Sequence, residues 1–461
     1  MDERIIARLT ELRQFAIEKG LVAEFFFHEE ESALMRFANS AISLNTSEHL
    51  VRLEITAHED NRRASFSLIT NLDALEDMKD GVLQAGEILK HTQPLSYTPT
   101  IPVYQKTVIE EAAFDSDLAG ISNAEKLDYF NQAVAGLESD QIKLGGIFSS
   151  GRNVIAAMNT NSEHALAFVS SDAQITIVLS HKTLKWDVIA EQSAQKKTDL
   201  DPASLQRQLA YLLGHYQNAP AEQLPLGQYD IVFGPAAIAE LVNTMNWIGF
   251  SGGMMKRGFS FLREEDLGAQ VLGRQFSLMD DPTRIETFPF SVDLMGAERK
   301  PFPLFEQGVF KAFAWDQDSA DEFGAQPTGH DVMHKSLVVC AGDKPINSLE
   351  ALVNAPREKD VLYIPYIHYM NFVNPSQGLI TGSSRFGALL LKQDGRVVVP
   401  YNVRLTQSLK DIFSEKIAWI SDGQVAYNVS ASYGARNPTA LIVPNLVYVQ
   451  GLEISHANSS Y

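Results

Sequence analysis

The sequence predicts an α+β protein: an α/β N-terminal half made of two units of helices with antiparallel strands, then a mostly β C-terminal domain. Three observations carry this. Helical apolar spacing brackets strand-like runs twice within the first 218 residues. Pro-bearing polar stretches, QPLSYTPTIPVY and QNAPAEQLPLGQ, follow each unit as linkers. Beyond about residue 228, short apolar runs alternate with Gly, Pro, Asp and Asn clusters, and sustained helical periods become rare. The boundaries read as 1–95, 112–218 and 226–461, which suits a chain of 461 residues, too long for one ordinary core.

In the first unit, Ile5, Leu9, Leu12 and Ala16 recur at spacings of three and four, with Gly20 placed to end the helix. LVAEFFFHEE, ALMRFANSAISLN, HLVRLEITAHED and ASFSLIT read as four strands separated by polar breaks. A second helix is expected from Asn71 as N-cap through Leu72, Leu75, Met78, Val82, Ala85 and Leu89. In the second unit KLDYFNQAVAGLE is helical, and GGIFSS, NVIAAMN, HALAFVSS and AQITIVLSH form a meander. DPASLQRQLAYLLGHYQ closes it as a helix, with Asp201 as N-cap and Pro202 in its first turn.

In the third region YDIVFG, VVCAG, VLYIPYIHYMNFV, FGALLLKQDGRVVVP and TALIVPNLVYVQGLEIS read as strands, with Asp394-Gly395 at a hairpin turn. IAELVNTMNWIGFS and SLKDIFSEKIAWI are the helix candidates there.

Net charge is −19, from 38 basic and 57 acidic side chains, a field that repels phosphate backbones, so direct nucleic-acid binding is not expected. No run of eighteen apolar residues is present, so no membrane span is expected. The charged, helical start MDERIIARLTELRQF is unlike a secretory signal. A lone cysteine, Cys340, rules out an intramolecular disulfide and fits a cytoplasmic location.

The most conspicuous chemical motif is HDVMH, residues 330–334. On a helix, His330 and His334 would share a face, as zinc requires. Pro327 and Gly329 upstream and the β-branched SLVVC downstream favour a loop leading into a strand instead. There the imidazoles lie ~13 Å apart, too far for one ion. Cys340 reads as a buried structural thiol rather than a ligand. The Glu29-Glu30-Glu31 run after His28 reads as a solvated strand end, its carboxylates pointing to different sides. Asp280-Asp281-Pro282 reads as a turn initiator rather than an acid/base pair. Gly249, Gly252 and Gly253 match no phosphate loop and mark a backbone bend. Tyr366, His368, Tyr369 and Asn371 could line a channel for an extended peptide, although such residues are more often half-buried strand positions.

Taken in order, YDIVFGPAAIAELV, FSGGMMKRGFSFL…DLGAQVLGRQFSLMDDP, PFPLFEQGVFKAFAWDQDSADEFGAQPTGH and TGSSRFGALLLKQDGRVVVPYNVRLTQSLKDIF resemble the TldD/PmbA family, within it the PmbA (TldE) branch. NVIAAMNTNSE resembles that family's turn between two central strands. The resemblance implies a subunit that pairs with a TldD-like metallopeptidase and cleaves or matures unfolded peptides. In the TldD type an H-E-x-x-x-H helix and a later cysteine hold zinc. Laid over that helix without gaps, this chain has Asn243-Thr244-Met245-Asn246-Trp247-Ile248. The resemblance therefore implies no cofactor in this chain and zinc in the partner, and it makes TGH a recurring loop. Two alternatives stay open. One is a self-sufficient zinc hydrolase using His330 and His334 with Cys340 or His368. The other is a non-enzymatic regulator of the gyrase-modulator kind.

Overall fold

The computed structural model describes residues 3–217, 220–330, 335–430 and 436–460. The first half runs α1 (Glu3–Glu18), β1 (Val22–Ala38), β2 (Ala41–Glu59), β3 (Arg62–Thr70), α2 (Leu75–Leu89), β4 (Val108–Ala113), α3 (Ser116–Ala119), α4 (Asn123–Ala133), β5 (Ile142–Asn159), β6 (Ala165–His181), β7 (Asp187–Ala194) and α5 (Pro202–Tyr216). These strands form one seven-stranded sheet ordered β3-β2-β1-β5-β6-β4, with β7 also paired to β6. The β1–β5 pairing joins the two helix-and-strand units into one sheet.

The expected strand breaks at Glu31-Ser32, Gly151-Arg152 and Asp172 are absent: β1, β5 and β6 each run unbroken through them. In register, Glu31 faces Arg152 and Gly151 faces Asp172, so the three polar interruptions sit side by side across the sheet. They form a polar belt between two apolar halves. One half, with Phe25, Phe27, Leu53, Val154 and Val169, is covered by α1 and α2 through Ile5, Leu9, Leu12, Met78 and Val82. The other, with Phe37, Phe148 and Ile175, is covered by α3, α4 and α5 through Leu118, Phe130, Leu205 and Leu209. The expected carboxylate arrangement is also corrected here. Glu29 and Glu31, two apart, share a face and both take Arg152, at 3.1 and 2.9 Å, whereas Glu30 turns to the other face and takes Arg52 at 2.8 Å.

Gly20 ends α1 as expected, with φ +69°. Asn71 does not cap α2: its carboxamide oxygen accepts the Asp73 amide at 3.0 Å in a local turn, and the helix starts at Leu75. Asp201 does cap α5, accepting the Ser204 amide at 3.0 Å, with Pro202 in the first turn.

The second half runs β8 (Gly227–Phe233), α6 (Pro235–Ile248), α7 (Gly252–Lys256), β9 (Leu278–Asp280), β10 (Phe302–Glu306), β11 (Val309–Phe310), α8 (Gln317–Phe323), β12 (Leu337–Val339), α9 (Leu349–Asn354), β13 (Val361–Ile364), β14 (Tyr366–Asn374), β15 (Leu379–Arg385), β16 (Leu389–Leu391), β17 (Val397–Val398), β18 (Val403–Ser408), α10 (Leu409–Ile412), β19 (Ile417–Ile420), β20 (Gln424–Asn428), β21 (Ala440–Pro444) and β22 (Val447–Ala457). A six-stranded sheet (β11-β10-β9-β12-β21-β20) and a nine-stranded sheet (β14-β15-β18-β22-β8-β13-β16-β17, with β19 on β22) enclose a core that includes Ile238, Val242 and Met245 of α6.

Two local expectations change. SLKDIFSEKIAWI is one turn of helix followed by β19, and its apolar spacing is met by Leu409, Ile412, Phe413, Ile417 and Ile420, all buried in that core. VLYIPYIHYMNFV is two strands. Pro365, which has no N–H to give a ladder, separates β13, parallel to β8 inside the sheet, from β14 at its edge. Among the described residues no helix is long and apolar enough to cross a membrane.

Candidate functional site: an acidic, tyrosine-walled cavity

The Ile364–Pro365 corner fixes the start of α6. The Gly234 amide donates to the Ile364 carbonyl at 3.0 Å and the Ala237 amide to the Pro365 carbonyl at 3.1 Å. A Cβ on Gly234 would stand 3.0 Å from Pro365 Cα, so the close approach suits glycine. Helix α6 is thereby held against β20 and β21, and a cavity of about 410 Å³ opens between it and β7.

Ala236, Glu240 and Asn243 line it from α6, spaced so that they project from one helix face. Glu191 of β7 stands opposite. Its carboxylate accepts the Tyr427 hydroxyl at 2.7 Å and the Thr176 hydroxyl at 3.2 Å. Tyr366 and Phe386 complete an aromatic wall. A second space of about 620 Å³ shares Glu191, Ala236, Tyr366 and Tyr427 and extends along α5 past Arg207 and Tyr211.

The electrostatics follow from burial. Burial pushes the Glu191 carboxyl up, against the lowering effect of the Tyr427 and Thr176 hydroxyls. Burial alone pushes Glu240 up. The Tyr366 phenol is raised to about 12 by burial and then by the charges of Glu191 and Glu240, with Arg385 opposing. Tyr427 stays protonated for the same reasons, burial first and Glu191 next, and so remains a donor to Glu191.

Of the channel residues expected from sequence, Tyr366 lines the cavity. His368, Tyr369 and Asn371 lie beyond it along the edge strand β14. The His368 ring packs edge-on against Tyr369, with centroids 4.0 Å apart, and Tyr369 is 65% exposed at φ +52°. Burial, then Arg385, lowers His368. Glu191, Glu240 and Tyr427 escaped the sequence reading. One signal was available: Glu240 is the one charged side chain in the fourteen residues of α6.

His330 is 3% exposed, stacks on Phe302 with centroids 4.3 Å apart, and gives Nδ1 to Asp280. Asp280 also takes Arg299 at 2.8 Å through both oxygens and the Ser336 amide at 2.6 Å. This corrects the turn reading at Asp280, which is a buried hub on β9; the turn belongs to Asp281, which accepts the Thr283 amide and hydroxyl. His334 lies outside the described residues. Cys340 is half-buried, and burial pushes its thiol up. Among the described residues, neither His330 nor Cys340 joins a group of three potential metal ligands. Glu29, Glu31 and His49 do gather within 4.8 Å, but the Arg152 guanidinium already pairs with both carboxylates.

Residues 226–456 match the family described as PmbA/TldA metallopeptidase C-terminal domain, half of the chain. The chain belongs to the PmbA/TldD family. The fold agrees with TldE from Thermococcus kodakarensis (TM-score 0.81, 16% identity, covering 97% of this chain and 100% of that one). It also agrees with two structures titled putative modulators of DNA gyrase. The one from Thermotoga maritima has TM-score 0.75 and 16% identity, covering 97% and 99%. The one from Bacteroides thetaiotaomicron has TM-score 0.77 and 15% identity, covering 98% and 99%. At such identities the likeness is one of fold. No curated protein matches the sequence.

A metallopeptidase family implies zinc, and the cavity at α6 can be tested for it. Zinc takes imidazole, thiolate and carboxylate. Among the described residues, its lining offers two carboxyls, the carboxamides of Gln174, Asn243 and Asn428, two phenols and the hydroxyls of Thr176 and Ser430, with no imidazole or thiol. That donor set does not fit zinc.

Proposed function

We propose that this chain is the zinc-less, PmbA/TldE-type subunit of a cytoplasmic two-subunit metallopeptidase system. A TldD-type partner holds the zinc, and this chain helps to hold unfolded peptides that the pair cleaves or matures. The observation that carries the reading is the donor set on α6. Asn243 occupies the position laid over the first zinc histidine of the TldD type and faces the cavity, with Glu191 and Glu240 as the acids nearby. Thr244, laid over the general base, is buried with its hydroxyl 3.1 Å from the Met370 sulfur, and Ile248 is 3% exposed in the core. A threonine cannot act as the base for a metal-bound water, and an isoleucine offers no lone pair.

The test combines metal content with reconstitution. The purified chain is expected to hold no zinc by elemental mass spectrometry and to leave an unfolded peptide intact. Mixed with a TldD-type subunit, it should give more cleavage than that subunit alone. No gain over the partner alone overturns the reading. About one zinc per chain would return attention to His330, His334 and Cys340.

A further inference from the structure

The cavity wall has a feature that peptide holding does not by itself explain. Glu240 is half-buried, burial alone shifts its carboxyl, and no described residue gives it a hydrogen bond or an ion pair. Among the described residues, no Lys, Arg or His lines the cavity around it. Arg385, whose charge acts on Tyr366, lies over the Phe386 ring, 4.7 Å from its centroid, and contributes nothing to the shift at Glu240. A partly desolvated carboxylate without a counter-charge is costly, and a ligand cation removes that cost.

The rest of the wall suits such a ligand. Tyr366, Phe386 and Tyr427 present aromatic rings, whose faces attract ammonium groups. Asn243 and Gln174 offer carbonyl oxygens that accept N–H bonds. Glu191 is oriented by Tyr427 and Thr176 as a second acceptor. Among the described lining residues, an anionic ligand would meet two carboxyls and no cation. The volume, about 410 Å³, falls within the range of small-ligand sites, roughly 300–1,000 Å³.

We propose that this cavity binds a primary ammonium group, with Glu240 as its ion-pair partner and Glu191 as its second acceptor. The identity of the ligand rests on the peptide-handling reading: the ammonium is then a peptide's amino terminus or a lysine side chain.

Calorimetry on the full chain alone, with three C-terminally amidated tripeptides, tests this. They are trialanine with a free amino terminus, N-acetyl-alanyl-lysyl-alanine, and N-acetyl-trialanine. One or both of the ammonium-bearing peptides should bind at least tenfold more tightly than N-acetyl-trialanine. A preference confined to the first identifies the amino terminus, and one confined to the second identifies lysine. Glu240→Gln should abolish the preference, and Glu191→Gln should reduce it. Equal binding of all three, binding of none, or a preference that survives both substitutions overturns the proposal. Because no partner is present, loss of this preference is a separate result from a failure to stimulate the partner's cleavage.

Discussion

Arg436 and Asp172 meet inside the protein as a two-point pair. Nε and Nη2 of Arg436 donate to the two carboxylate oxygens at 2.8 and 2.7 Å, and both side chains are wholly buried. Asp172 lies in the polar belt of the N-terminal sheet, and Arg436 comes from the second half of the chain. Asn428 adds a donor to Asp172 at 2.6 Å, and His28 lies 3.0 Å from the Arg436 carbonyl. The contact therefore fastens the C-terminal unit to the middle of the N-terminal sheet.

Removing one member of this pair strands the other's charge. Asp172→Leu is expected to cost about 3–5 kcal/mol, while pairing it with Arg436→Met should restore most of that. Chemical denaturation of the two variants checks the difference. A double variant as unstable as the single one would show that the surrounding hydrogen bonds, and not the charge, hold the units together.

The same belt explains what sequence could and could not show. Ile5, Leu9, Leu12 and Ala16 announced their helix because one water-facing side and one buried side obey a simple period. Arg152 and Asp172 looked like strand breaks because their partners, Glu29, Glu31 and Arg436, are more than a hundred residues away in sequence. The candidate site was legible only at Tyr366. Glu191 and Tyr427 are 236 positions apart, and no local pattern links them.

His330 owes its place to Asp280, and its loss should read as a loss of stability. Burial would raise the Asp280 carboxyl, but His330, Arg299 and the Ser336 amide together bring it below its ordinary value. A depressed folded pKa gives stability that is present above the unfolded value, near 3.8, and is lost as pH falls through the lower folded one. Asp280→Asn should therefore flatten the acid limb of the stability curve while lowering stability at neutral pH. His330→Ala should destabilise by roughly 1–3 kcal/mol without changing metal content, as read by denaturation and elemental analysis. Loss of bound zinc in His330→Ala would contradict the structural role.

Lys126 of α4 is 1% exposed, its ammonium 5.7 Å from the centre of the Phe148 ring. Burial, and then the charge of Arg436, lowers it to about 8 from 10.5. Between those values the unfolded chain binds more protons than the folded one, so stability should rise with pH across that window. Below it the folded protein carries the full cost of a buried ammonium. Lys126→Met should remove the rise and stabilise the protein at pH 7 by about 1–3 kcal/mol. Unfolding curves at pH 7, 8 and 10 decide the matter, and an unchanged slope would show that the ammonium is already well solvated in the fold.

Gly252 and Gly214 should respond to alanine with opposite signs. A Cβ on Gly252 would fall 2.1 Å from the Trp315 ring, and one on its neighbour Gly253 would fall 2.2 Å from the Ser319 hydroxyl. The first turn of α7 is thus pressed against Trp315 and α8, which is why the glycine cluster bends the backbone there without forming a phosphate loop. The Trp315 backbone is tied by its amide, which donates to the Thr328 hydroxyl at 3.0 Å, so relief of the clash has to come from rotation of the ring. Gly252→Ala should cost ~1–3 kcal/mol or more through forced displacement of the ring. Gly214 sits exposed within α5 with nothing within 4 Å of an added Cβ. Alanine there restricts the unfolded chain and favours the helix, so Gly214→Ala should stabilise by about 0.5–1 kcal/mol. Thermal unfolding of the two variants side by side provides the check. Destabilisation by Gly214→Ala would mean that α5 needs its glycine for something other than space.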